Sequence, residues 1–105
     1  MVRTVDAGEL RRVVFSNKEE AIVLFTGSWC VDCTAFRPIW EKWARSRPGP
    51  IFVLEIERGS SAWQDWDLAE IPTVAVFRDG SLLDKASDRI GHDDLERLWG
   101  MIGRG

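Results

Sequence analysis

The stretch Trp29-Cys30-Val31-Asp32-Cys33 holds both cysteines of the chain, with two residues between them. The run just before it, residues 21–26, is almost wholly apolar and rich in branched side chains, which is typical of a strand buried on both faces of a parallel sheet. The residues after it carry apolar side chains at helical spacing. The two sulfurs are therefore expected where a buried strand gives way to a helix, a place that favours a thiolate.

The length and composition indicate one globular domain, residues 1–105. Hydrophobic residues make up 45% and charged residues 30%, and the 14 Lys and Arg are spread among 17 Asp and Glu, so a basic face for nucleic acid is not expected. No apolar run reaches the roughly 18 residues of a membrane span, and the first residues lack the apolar core of a secretory signal. We therefore expect a cytoplasmic protein with no membrane partner, in which a cysteine pair is more often catalytic or redox-active than structural.

Hydrophobic periodicity and turn residues predict the element order β-α-β-α-β-α-β-β-α. Strands are expected at residues 2–5, 21–26, 51–56, 73–77 and 81–86. Asp6 and Glu9 predict a capping box that opens the first helix, and the Asp79-Gly80 pair predicts a hairpin between the last two strands. This order is typical of a mixed sheet with helices on both faces.

The long helix after the cysteines has an apolar side that is expected to face the core: Phe36, Ile39, Trp40, Trp43 and Ala44. A short helix is expected at residues 60–68, and the last helix should bury a stripe that includes Trp99. Trp63 and Trp66 are three residues apart in the short helix, and packing beneath that helix is favoured for both over a place in a groove.

With these residues in hand, the chain is identified as a member of the thioredoxin superfamily over nearly its whole length. Four motifs carry the resemblance: Trp29 with Cys30-x-x-Cys33, Pro38 five residues after the second cysteine, Ile71-Pro72-Thr73, and the Asp79-Gly80 hairpin followed by Gly91. The resemblance implies an α/β thioredoxin fold, with a central mixed sheet of four to five strands and helices on both faces. It also implies a cis proline at Pro72 that faces the cysteines, and a kink in the long helix at Pro38.

The chain departs from the family pattern at two places near the cysteines. Thioredoxins have Gly-Pro between the two cysteines, where this chain has Val31 and Asp32. A buried Asp of the family, thought to manage the proton of the second thiol, is replaced by Leu24, and the Lys that pairs with it is replaced by Val53. Losing both members together avoids leaving an uncompensated buried charge.

The resemblance implies thiol–disulfide exchange, in which Cys30 is the nucleophile and Cys33 the resolving thiol. Asp32 and Val31 are the candidate residues for redox tuning, because a carboxylate beside the thiolate opposes the helix dipole and makes the dithiol a stronger reductant. We expect a potential near or below about −270 mV. Because the family's buried Asp is missing, the Cys33 proton is expected to leave through water or through Asp32.

The expected substrates are protein disulfides, bound as an added β-strand along the Ile71 backbone. A groove lined by Trp29, Ile71, Pro72, Ile90 and Gly91 is expected to give an apolar patch around the exposed sulfur. A disulfide reductase or another electron donor would recharge the dithiol. We expect no cofactor beyond a redox-active Cys30–Cys33 disulfide, and no metal.

Three other interpretations of the cysteine pair compete with this one. The cysteines could be ordinary buried thiols, or ligands of a metal or of an iron–sulfur cluster shared across a dimer, although His92 is the sole histidine and zinc requires four ligands. The chain could also be a thioredoxin-fold binding or scaffold module with weak or no redox turnover. Leu24, Val53 and the Val31-Asp32 pair favour this last alternative.

Overall fold

A computed structural model describes residues 2–102 and contains one five-stranded mixed sheet, as predicted. The strands lie in the order β1-β3-β2-β4-β5. β3 pairs in parallel with both β1 and β2, whereas β4 runs antiparallel to β2 and β5 antiparallel to β4. The strand bounds are β1 Val2–Thr4, β2 Ala21–Thr26, β3 Ile51–Glu55, β4 Thr73–Arg78 and β5 Ser81–Ser87.

Four α-helices complete the fold, and the predicted element order is confirmed. Their bounds are α1 Ala7–Arg11, continued by a π-helical turn at Arg12–Ser16, then α2 Val31–Arg45, α3 Ala62–Asp65 and α4 His92–Trp99. α3 is shorter than the predicted 60–68 helix, because Asp67 takes a φ of 53° and ends the helical path. Within residues 2–102, none of the helices has the length and apolar character needed to cross a membrane.

Local sequence signals fix two of the connections. Asp6 caps α1, since its Oδ1 accepts a hydrogen bond from the Glu9 backbone N–H at 2.8 Å, and the predicted capping box is present. The hairpin between β4 and β5 turns at Asp79 and Gly80, which have φ angles of 54° and 80°. A two-residue hairpin turn with both central residues at positive φ matches the right-handed twist of the strands.

The helices cover the two faces of the sheet and enclose two core layers. α1 and α3 pack against one face, and α2 and α4 against the other. The predicted apolar side of α2 is buried at Phe36, Trp40 and Trp43. Ile39 is the exception, since 47% of it is exposed and the prediction that it faces the core is wrong.

The two tryptophans of the α3 region both pack against the core layer on that side of the sheet, but they are buried to different extents. Trp66 is buried and stacks on Phe15, with ring centroids 5.2 Å apart. Trp63 is half-buried beside Trp29 at 6.3 Å, and its indole N–H donates to the Glu57 carbonyl at 3.0 Å. Trp66 is the C-terminal cap of α3, and its backbone has already left the helical conformation.

Candidate dithiol active site

Both cysteines lie at the junction between the end of β2 and the start of α2, as the sequence predicted. β2 is buried along its whole length, and the chain then turns through residues 27–30 into the helix. Cys30 is the N-terminal cap residue of α2, and its Sγ accepts a hydrogen bond from the Cys33 backbone N–H at 3.2 Å. Negative charge on this sulfur would be stabilised by the helix dipole and by backbone N–H groups that lack helical partners.

The two thiols differ in burial, and burial changes the acidity of Cys33. Cys30 is half-buried, whereas Cys33 is only 3% exposed. Burial, and then the hydrogen bond to Cys30, raise the pKa of Cys33, whose net value is about 11. Hydrogen bonds from the Thr26 side chain and the Gly27 backbone pull the pKa of Cys33 partly back down.

A groove runs beside Cys30 along the start of β4. The Ile71–Pro72 peptide bond is cis, and the Cys30 thiol lies 3.7 Å from the Ile71 carbonyl oxygen, to which it donates. A cavity of about 300 Å³ adjoins this contact and is lined in part by Ile71, Pro72 and Ile90. Ile39 lines the same cavity, which explains why it is exposed and does not join the core.

The groove is more polar than the apolar patch that the sequence predicted. Asp32, Glu70 and Asp88 line the cavity with the single cation Arg89. Asp32 is exposed at the first turn of α2, and its neighbour Val31 is 82% exposed. Both candidate tuning residues therefore lie at the surface beside the sulfurs.

Trp29 lies away from this cavity lining, so the predicted set of groove residues is brought together only in part. Its indole N–H donates to the Ile56 carbonyl at 3.0 Å, and the Arg58 guanidinium lies 4.5 Å from its ring centroid. Gly27 leaves room for this ring, since a Cβ at that position would lie 2.8 Å from the Trp29 Nε1. Gly91 is the N-terminal cap of α4, where its N–H donates to the Asp94 Oδ2 at 2.8 Å.

The rungs of β2 and β3 beneath α2 change from apolar to polar towards the cysteines. Leu24 pairs with Val53, and each is 1% exposed, so the place of the family's ion pair is a fully buried apolar contact. Two residues further along both strands, and hence on the same sheet face, Thr26 pairs with Glu55. The sequence analysis missed this second pair, because only the register of the sheet makes its two members neighbours.

A second cavity, of about 180 Å³, lies behind Cys33 on this side of the molecule. Its lining consists of Thr26, Gly27, Ser28, Cys33, Thr34, Arg37 and Glu55. Arg37 also pairs with Glu41 one helical turn further on, at 3.9 Å. Cys33 therefore lines a cavity that is separate from the one bordered by Ile71 and Pro72.

Metal ligation was one of the competing interpretations of the cysteines. Across the described residues 2–102, no three His, Cys, Asp or Glu side chains come together in a group that could hold a metal ion. His92 lies in the first turn of α4 with its side chain 67% exposed, 3.9 Å from the Glu96 carboxylate. The cysteines and the histidine therefore lie on different elements and do not meet.

The fold and the paired thiols define a class of protein, namely thioredoxin-fold proteins with a Cys-x-x-Cys motif at the start of a helix. The thioredoxin family model matches residues 1–102, and the chain belongs to this family. It is 28% identical over 99 residues to the thioredoxin of Mycoplasmoides gallisepticum, covering 93% of this chain and 98% of that one. It is 32% identical over 89 residues to Staphylococcus aureus thioredoxin, covering 80% and 83% of the two chains.

Solved structures of low sequence identity share the fold. A mutant thioredoxin from Halobacterium salinarum superposes with a TM-score of 0.79 at 19% identity, covering 99% of this chain and 92% of that one. Reduced Schistosoma mansoni thioredoxin gives a TM-score of 0.80 at 13% identity, with 96% and 98% coverage. Family and fold together support a thiol–disulfide oxidoreductase role in general terms, with protein disulfides and a reductase as the general partners.

Proposed function

We propose that this protein reduces protein disulfides through the Cys30/Cys33 dithiol. The observation that carries the proposal is the position of the half-buried Cys30 sulfur, which caps α2 and lies 3.7 Å from the Ile71 carbonyl oxygen. The Cys30 thiolate attacks a substrate disulfide and forms a mixed disulfide. Cys33 then attacks the Cys30 sulfur and releases the reduced substrate, and a disulfide reductase or another donor restores the dithiol.

The substrate binds as an extended segment beside the Ile71 backbone, in the β-addition mode. Pro72 and Ile90 give this segment apolar contacts at the sulfur, and Ile39 extends the apolar strip along α2. The exposed Asp32 disfavours the Cys30 thiolate, which strengthens the dithiol as a reductant and places the potential near or below about −270 mV. The activity needs no cofactor beyond the redox-active Cys30–Cys33 disulfide. We propose that the protein acts in the cytoplasm.

Reduction of insulin by dithiothreitol tests this proposal, with the precipitating B chain as the readout. The wild-type protein should accelerate the reaction, and Cys30→Ser, which lacks the nucleophile, should leave the uncatalysed rate. Equal rates for the two proteins would overturn the proposal. That outcome would support the second candidate, a thioredoxin-fold binding module, which is favoured by the fully buried apolar contact of Leu24 with Val53 where the family has an ion pair.

A further inference from the structure

The Cys33 thiol must lose a proton before it can attack, and its surroundings oppose this. Cys33 is 3% exposed, and its pKa is raised to about 11, chiefly by burial. The apolar pair of Leu24 and Val53 offers no proton acceptor on the sheet face beneath α2. Asp32 is on the wrong side for this role, because it lines the groove cavity and not the cavity behind Cys33.

The polar rung of Thr26 and Glu55 lies on the side that Cys33 faces. Side chains alternate along a strand, so Thr26 points to the same sheet face as Ile22 and Leu24, the face that α2 covers. Glu55 points to that face for the same reason, since it lies two residues beyond Val53. Both residues line the cavity that also contains Cys33.

The two members of this rung have complementary properties. Thr26 is 3% exposed, and its hydroxyl hydrogen-bonds to Cys33 in the direction that favours the thiolate. Glu55 is an exposed residue that also lines the cavity, so it lies between the cavity and bulk solvent. The cavity of about 180 Å³ is large enough to admit water, and the Thr26 hydroxyl and the Glu55 carboxylate are hydrogen-bonding groups on residues that line it.

We propose that Thr26 and Glu55 form the route by which the Cys33 thiol gives up its proton to solvent during the resolving step. This inference rests on the proposed function, because it assigns the proton path of that same reaction. Thr26 is a positioning residue. Its hydroxyl hydrogen-bonds to the Cys33 sulfur and stabilises the thiolate that remains when the proton has left. Glu55 accepts the proton through cavity water and passes it to solvent.

The step balances as a two-electron exchange. The Cys33 S–H bond breaks and its proton passes to Glu55. The Cys33 sulfur then attacks the Cys30 sulfur, so that the Cys30–Cys33 disulfide forms while the bond from Cys30 to the substrate sulfur breaks. The substrate sulfur leaves with the electron pair and takes a proton from solvent, so the two cysteines are oxidised and the substrate is reduced.

Other charged and titratable groups also face Cys33, and they determine which variants are informative. Cys30 lies in the same turn and raises the pKa of Cys33 through its hydrogen bond and charge. Arg37, from α2, lines the cavity and would favour a nearby thiolate without accepting a proton. Of the residues that line this cavity, Glu55 alone carries a carboxylate.

The aromatic disulfide 5,5′-dithiobis(2-nitrobenzoate) separates the two chemical steps in a stopped-flow experiment. Attack by Cys30 releases one coloured thiolate and leaves the other bound, and attack by Cys33 then releases the second. Glu55→Gln should slow the second phase about tenfold near neutral pH, less than a base in direct contact contributes, and leave the first phase unchanged. The deficit should shrink in alkaline buffer, where hydroxide replaces the carboxylate.

Matched variants keep the test specific. Glu57→Gln removes an exposed carboxylate from the same segment outside the cavity lining and should behave like wild type. Thr26→Val should slow the second phase roughly tenfold by removing the hydrogen bond, and Thr26→Ser should restore it. Equal pH profiles for Glu55→Gln and Glu57→Gln, or a Thr26→Ser variant as slow as Thr26→Val, would overturn the proton route. A wild-type protein without a second phase would instead overturn the proposed function.

Discussion

Cys30 and Cys33 are three residues apart in the chain, yet they face different environments. Cys30 is half-buried and donates to the Ile71 carbonyl next to the cis peptide at Pro72, whereas Cys33 is 3% exposed and lines a separate cavity of about 180 Å³. The N-terminus of α2 favours charge at the first sulfur, while burial opposes charge at the second. The two cysteine side chains therefore differ in their surroundings, because they occupy different positions in one helical turn.

The two neighbouring rungs beneath α2 also differ in polarity. The rung of Leu24 and Val53 is sealed and apolar, and the next rung on the same face, Thr26 and Glu55, is polar. A carboxylate at the second rung can stay in contact with solvent, so it does not need a buried cation as its partner. Three predictions test the contrast between the groove side and the Cys33 side, in order of decreasing expected effect.

The largest effect is expected from restoring a carboxylate at the sealed rung. Leu24→Asp places a charge in a fully buried apolar layer and should lower the free energy of unfolding by about 3 kcal/mol or more at neutral pH. Urea denaturation measures this loss. The matched variant Leu24→Asn has a neutral side chain of similar size, so the excess loss of the Asp variant should vanish in acid. A Leu24→Asp protein as stable as wild type would show that water reaches this rung.

A smaller effect is expected from ionising Cys33. Because its folded pKa of about 11 lies above the ordinary value of 9.0, the buried neutral thiol stabilises the fold below about pH 9. That contribution is lost as the pH rises through about 11, and it amounts to at most about 3 kcal/mol. Urea unfolding of the reduced protein should show an extra alkaline loss in wild type relative to Cys33→Ala, and the chain has no tyrosine to titrate in the same range. Parallel pH curves for the two proteins would contradict the raised pKa.

The smallest effect is expected on the groove side, at Asp32. Removing this exposed carboxylate stabilises the Cys30 thiolate and hence the reduced form, so Asp32→Asn should raise the reduction potential by about 10 to 30 mV. Equilibration with a glutathione buffer measures the change. Asp93→Asn, which removes an exposed carboxylate from the first turn of α4, should leave the potential unchanged. A potential that stays the same or falls in Asp32→Asn would remove Asp32 from the list of tuning residues.

Much of the fold could be predicted because the local sequence signals of this chain agree with its tertiary structure. The apolar run of β2 leads into Cys30, the capping box opens α1 at Asp6, and Asp79-Gly80 turns the hairpin. Each of these signals depends on residues that are close in sequence, so no knowledge of strand order is needed to interpret them. The resemblance to thioredoxins supplied the position of Pro72 opposite the cysteines.

The features that could not be predicted depend on contacts between distant segments. Helical periodicity placed Ile39 in the core, but the α2 surface at that position borders the groove and not the sheet. Trp63 and Trp66 both pack against one core layer, but only Trp66 is fully buried, a difference that their spacing of three residues does not predict. Glu55 gains its position next to Thr26 only from the parallel register of β2 and β3. A Thr two residues after Leu24, at the end of an apolar strand, was the one local signal for this pair.

The central claim, that Cys30 attacks the substrate and Cys33 resolves the mixed disulfide, is tested most directly by trapping. Cys33→Ser should accumulate a stable mixed disulfide with a peptide disulfide substrate, and mass spectrometry after proteolysis should place the bond at Cys30. Cys30→Ser should trap far less, because the buried Cys33 thiol has a pKa of about 11 and lies away from the groove. Comparable trapping by the two variants, or a substrate bond at Cys33, would contradict the account.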